Sequence, residues 1–131
     1  MKRISLLLSA LLAVTFVIGA KVVRTTSTTD PVLAVTVDSI DFRPDLTRVY
    51  GKLTGRPHTS CRVDDATLLS GKKSLKANDI DGVDFKRYFQ WEDEGEIVVE
   101  IDFPATKRFN AAQLVITTPR GESVTSVKTR K

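Results

Sequence analysis

Apolar and polar residues alternate with period two along much of the chain, the spacing that puts one face of a strand into a core and the other into solvent. Leu33, Val35 and Val37 keep one phase, and Ile40 and Phe42 continue on the opposite one. This predicts a single strand carrying a bulge near Asp38 and Ser39. After a turn at Arg43, Pro44 and Asp45, a second strand runs from Leu46 to Thr54, with Thr47, Val49 and Gly51 on one face and Leu46 and Tyr50 on the other. Gly55 to Pro57 ends it. Shorter strands are expected at Thr59 to Val63, Ala66 to Leu69 and Ser74 to Ala77, the last two joined by a turn at Gly71. The clearest alternation is E-I-V-V-E-I-D-F from Glu96, which sends Ile97, Val99, Ile101 and Phe103 inward before Pro104. Ala112 to Thr118 and Ser123 to Thr129 flank P-R-G at 119 to 121, a hairpin signal.

The period breaks in two places. Residues 78 to 95 are the least strand-like stretch, and Phe85, Tyr88 and Phe89 at i, i+3 and i+4 predict a loop with one helical turn. Residues 21 to 31, K-V-V-R-T-T-S-T-T-D-P, are polar and Thr-rich, and read as a linker ahead of a domain spanning 32 to 131. Val, Ile and Thr dominate the chain after residue 20. That bias and about seven short strands separated by turns predict an all-β fold, an immunoglobulin-like antiparallel β-sandwich. The long helices that βαβ crossovers require are missing from the pattern, which excludes Rossmann and thioredoxin folds.

Residues 1 to 20 carry a cleavable signal peptide pattern. Lys2 and Arg3 precede a largely apolar run from Ile4 to Ile18, and the small pair Gly19 and Ala20 suits cleavage after Ala20. A retained anchor is the alternative, but the run is slightly short for a span. No cysteine lies near the cleavage point, so a lipoprotein anchor is not expected. The pattern predicts a periplasmic or secreted protein without stable membrane insertion. Charge adds little: 20 Lys and Arg stand against 16 Asp and Glu, and removing Lys2 and Arg3 leaves 18 against 16, or +2. The basic residues are interspersed with acids except for Arg120, Lys128, Arg130 and Lys131, so no basic stripe argues for nucleic acid.

Candidate chemistry is sparse. Cys61 is the only cysteine, which excludes an intramolecular disulfide; its alternation with Val63 predicts a buried thiol, and exposure would instead allow pairing with a partner. His58 is the only histidine, and a hydrolase would have to use it with Asp64 or Asp65. No G-x-S-x-G elbow is present. Asp79, Asp81 and Asp84 suggest a calcium loop, yet Val83 stands where a ligand belongs, and a turn on Asp81 and Gly82 accounts for them better. Nothing calls for a cofactor. Phe85, Tyr88, Phe89 and Trp91 place four of the nine aromatics within seven residues. They form either a contact platform or a plug at one open end of the fold with Tyr88 or Trp91 partly exposed. Glu92, Asp93, Glu94 and Glu96 make an acidic rim beside them.

V-D-S-I-D-F-R-P-D-L-T-R-V at 37 to 49, T-L-L-S-G-K-K at 67 to 73, D-I-D-G-V-D-F at 79 to 85 and G-E-I-V-V-E-I-D-F-P at 95 to 104 together resemble the small immunoglobulin-like sandwich modules of exported Bacteroidetes proteins. Some of those modules accompany thioredoxin-like domains. The resemblance covers most of residues 35 to 127 and implies a non-catalytic module, since the redox C-x-x-C of such partners is not in this chain. No functional residue carries over. The expectation is an exported domain that binds a protein or a cell-envelope component, using the 85 to 91 aromatics, the acidic rim or a strand edge. The alternative is a structural subunit that assembles with its own copies through strand edges or Cys61.

Overall fold

The computed structural model describes residues 21–29 and 33–129, so the expected signal segment lies outside the described residues. It is all-β, with no helix among the described residues. Eleven strands follow one another: β1 Lys21–Thr29, β2 Ala34–Phe42, β3 Leu46–Thr54, β4 Ser60–Arg62, β5 Asp65–Ser70, β6 Lys73–Lys76, β7 Asp79–Asp81, β8 Tyr88–Gln90, β9 Glu96–Pro104, β10 Ala111–Thr118 and β11 Gly121–Thr129. Nine of them join in the antiparallel order β6-β5-β10-β11-β1-β2-β3-β9-β7, while β4 and β8 pair separately.

Several boundaries match the alternation. The phase change in β2 is a bulge, a register shift between Val37 and Ser39 opposite Gly51 and Tyr50 of β3. Val99, Ile101 and Phe103 are buried and Ile97 packs partly against them, whereas Val98 points out with 68% exposure. On β3, Thr47, Val49, Gly51 and Leu53 face inward. From the other side of the core, Ala66 and Leu68 of β5, Leu114 and Ile116 of β10 and Val127 of β11 meet them, giving one shared core.

Two stretches differ from expectation. Residues 21 to 29 are not a tether but β1. Residues 21 to 24 pair with 39 to 42 of β2, and residues 25 to 29 pair with 125 to 129 of β11. The Thr-rich composition that looked like a linker is also strand composition, because β-branched side chains fit a pleated surface. The expected helical turn at 85 to 89 is absent; Tyr88 to Gln90 is the strand β8, and Asp79 to Asp81 is a strand as well. Here backbone partners outweigh local spacing: the 85 to 91 segment finds a ladder waiting on the chain from His58 to Val63.

Connectivity also departs from the immunoglobulin order, which places its second and third strands in opposite sheets. Here β2 and β3 form a hairpin within one sheet. Corners are turned by strands that change partners, as in orthogonal sandwiches. β1 passes from β2 to β11 at one corner. At the other, Ala77 N–H donates to Ala66 O of β5 (2.9 Å) and the next residue, Asn78, donates to Asp102 O of β9 (2.7 Å). The two ends of the strand order, β6 and β7, are thus consecutive in the chain, and the passage between them joins the two edges of the sheet into a ring. Gly82, at φ +104, ends β7 in a conformation that L side chains rarely adopt, with its Cα side only 2.3 Å from Val98 O for any added Cβ.

Buried polar groups are few. Ser123 Oγ donates to Leu33 O at 2.6 Å. Arg43 Nε donates to Asp41 Oδ2 at 2.7 Å, but Asp41 Oδ1 and Thr47 Oγ1 are buried without a partner among the described residues.

Candidate binding cleft

The chain from His58 to Val63 zips against the chain from Phe85 to Trp91. Ser60, Cys61 and Arg62 pair with Gln90, Phe89 and Tyr88. His58 N–H donates to Trp91 O (2.8 Å), Trp91 N–H to Thr59 O (2.9 Å), and Lys86 N–H to Val63 O (2.7 Å). The result is a flap across one end of the ring. Because it is extended, its side chains alternate: Phe89 and Trp91 turn inward in an edge-to-face contact with centroids 5.2 Å apart, and Tyr88 turns outward. Cys61 and Val63 are the buried residues of the facing flap segment, and Phe85 is half-buried. Three of the four candidate aromatics therefore build the end wall, and Tyr88 alone stands clear at 61% exposure. The buried Cys61 answers to the alternation with Val63.

Arg62 lies across the Tyr88 ring, its Cζ 5.1 Å from the centroid. Its guanidinium is fixed by Asp64, with Nε to Oδ1 at 2.6 Å and Nη2 to Oδ2 at 3.2 Å. That hydrogen bond, with the Asp64 charge, raises the Arg62 pKa above its ordinary value. Tyr, Arg and a forked carboxylate form a fixed contact patch of the kind that anchors interfaces.

Beside the flap lies a cleft of about 380 Å³ between Leu33 and Ala34, the end of β3 at Thr54, and the β10–β11 turn at Arg120. Trp91 and Cys61 line it, with Thr59, Ser60 and Arg56 around them. Gly55 lets the indole in: a Cβ there would stand 2.1 Å from Trp91 Cε2 and 2.3 Å from Nε1. A smaller cleft of about 160 Å³ adjoins it, sharing Ser60, Cys61 and Arg120 and reaching Arg62 and Tyr88. An open trough of about 430 Å³ across β5, β10 and β11 carries one charged side chain, Lys128, and no aromatic, so it has fewer groups to orient a ligand.

The other candidates are scattered. His58, at φ +67, bonds Asp93 through Nε2 at 2.9 Å, and both are exposed. The expected partners are taken: Asp64 holds Arg62, and Asp65 pairs with Lys76 at 3.1 Å. The structure thus replaces the His58–Asp64 or His58–Asp65 pair with His58–Asp93, because the flap ladder brings residue 91 beside 58. Asp79 and Asp81 flank the buried Ile80 on the outer side of β7, across from Asp102 and Glu100, and Asp84 lies beyond the turn, 3.7 Å from Arg87. Among the described residues no three His, Cys, Asp or Glu side chains gather closely enough to hold a metal ion. Arg56 was not singled out in the sequence, and Arg120 figured there only among the basic residues near the end. Their signal is positional, each being the middle residue of a turn triplet, G-R-P at 55 to 57 and P-R-G at 119 to 121.

No family model matches the chain, and neither the curated proteins nor the solved structures contain a match.

Proposed function

We propose that this protein is an exported, non-catalytic β-sandwich domain that recognises a protein or cell-envelope component with the flap end of the ring. The reading of export rests on Lys2, Arg3, the apolar run to Ile18 and the small residues Gly19 and Ala20. The observation that carries the binding role is the outward Tyr88 held against an Arg62 that Asp64 has already fixed, so little ordering remains to be done on contact. Self-assembly is the less favoured route: β1 and the β6–β7 passage occupy the corners of the sheet, and the Cys61 thiol is buried. The test is a photo-crosslinking residue placed at position 88 in the chain expressed in its native cells, with position 98, equally exposed on β9, as the control. A discrete adduct from 88 and none from 98 supports the reading. Equal adducts from both positions, or none from 88, count against it.

A further inference from the structure

We propose that the 380 Å³ cleft beside Trp91 binds a carboxylate of an acidic peptide segment between Arg56 and Arg120, a ligand assignment that rests on the flap end being the binding site. Four arginines of the fold are committed to carboxylates: Arg43 to Asp41, Arg48 to Asp102, Arg62 to Asp64 and Arg87 to Asp84. Arg56 and Arg120 line the cleft from different turns, and neither has an ion-pair partner among the described residues. Among the described residues no Asp or Glu lines the cleft. The other polar groups there include the Ser60 hydroxyl and the edge of the Trp91 indole, whose N–H makes no hydrogen bond among the described residues. A wall whose charged side chains among the described residues are both cations is complementary to an anion, and the arginine fork suits a planar carboxylate.

The floor selects among carboxylates. Trp91 is 3% exposed, so it does not offer the open face on which a sugar ring would stack. Leu33 and Cys61 add apolar surface, and the volume falls within the range of small-ligand pockets. A Glu or Asp side chain, or a chain end, with its neighbouring residue fits that combination better than an acidic sugar or a bare phosphate.

Trp91 is the only tryptophan, so its emission reads the cleft directly. The experiment titrates the protein with triglutamate, with end-blocked triglutamine, with trigalacturonate and with inorganic phosphate. Triglutamate is expected to change Trp91 emission saturably, and triglutamine to bind at least about tenfold more weakly. Arg56→Gln and Arg120→Gln should each weaken triglutamate by about tenfold, while Arg108→Gln, an exposed arginine outside the cleft, leaves it unchanged. Both cleft arginines are exposed, so their variants should keep the native urea midpoint, which separates lost binding from lost folding. No response to triglutamate up to about 10 mM, about tenfold above a weak-site Kd of about 1 mM, overturns the assignment. So does an equal loss in Arg108→Gln, or tighter binding of trigalacturonate or phosphate. A crosslink at position 88 combined with a silent Trp91 rejects the carboxylate ligand alone; silence in both experiments rejects the binding site itself.

Discussion

Thr47 sits on the inward face of β3 with its hydroxyl in the wrong company. It is 0% exposed and lies across from Phe42 on β2 and Phe103 on β9, both buried. Its Oγ1 has no hydrogen-bond partner among the described residues. A hydroxyl taken out of water and left unpaired costs about 1–3 kcal/mol. Thr47→Val keeps the branched shape and removes that penalty, adding a methyl where the neighbours are apolar. Stability should therefore rise by about 1–3 kcal/mol, and since 1 kcal/mol moves the midpoint of a domain this small by about 4–8 °C, the Tm should climb by at least about 4 °C. Urea melts followed by Trp91 emission give the same quantity as a higher midpoint at unchanged slope. Ser123→Ala supplies the opposite sign, because Ser123 Oγ makes a 2.6 Å bond to Leu33 O whose loss should cost about 1–2 kcal/mol. A Thr47→Val protein no more stable than the native one would refute the reasoning and mean that the hydroxyl is satisfied in solution.

Other outcomes follow from the same structure. Ile101→Ala, at 1% exposure, should lose about 2–5 kcal/mol in a urea melt, while Val98→Thr on the outer face of β9 should be near neutral; equal costs would mean the strand faces are misassigned. Gly55→Ala must displace the Trp91 indole, so its emission should shift to the red and stability fall by about 1–3 kcal/mol; an unchanged spectrum would contradict the close approach. Deleting residues 21–29 removes one of the two partners of β2 and one of the two of β11 and should abolish cooperative unfolding, which a chain with a dispensable linker would retain. Arg48 is bidentate on Asp102, and that bond raises its pKa above the ordinary arginine value. A raised basic group stabilises the fold at every pH below its unfolded pKa, so the gap between native and Arg48→Gln should stay constant from about pH 7 to 9, below ordinary tyrosine ionisation; a gap that closes in that window would show the pair is not what Arg48 contributes.

The strands with two-sided environments were legible because period two reports burial directly. Even the bulge in β2 was visible, since the inward phase jumps between Val37 and Ile40. β1 was not, because Thr side chains serve equally in a linker and in a strand, and what decides between them is the pair of partners at residues 39 to 42 and 125 to 129. The aromatic segment failed for a related reason. Phe85, Tyr88 and Phe89 have helical spacing, but Phe89 and Trp91 also have strand spacing, and the ladder on residues 58 to 63 selects the second. Of the candidate site, the aromatics and the buried Cys61 were already singled out in the sequence. The cleft arginines were hidden because their proximity arises from ring closure that brings two turns together, 64 positions apart in the chain.

Ring closure also sets an order of events in time. Residues 25 to 29 of the first strand take as partners residues 125 to 129 of the last, so the seam cannot seal until about one hundred further residues have been made. At ribosomal speeds of about 5–20 residues per second that interval lasts about 5–20 s. During it the β1–β2–β3 meander waits with one side of β1 unsealed, and such distant pairings place folding in the slow, millisecond-to-second class. A chain built this way completes its sheet only when β11 arrives.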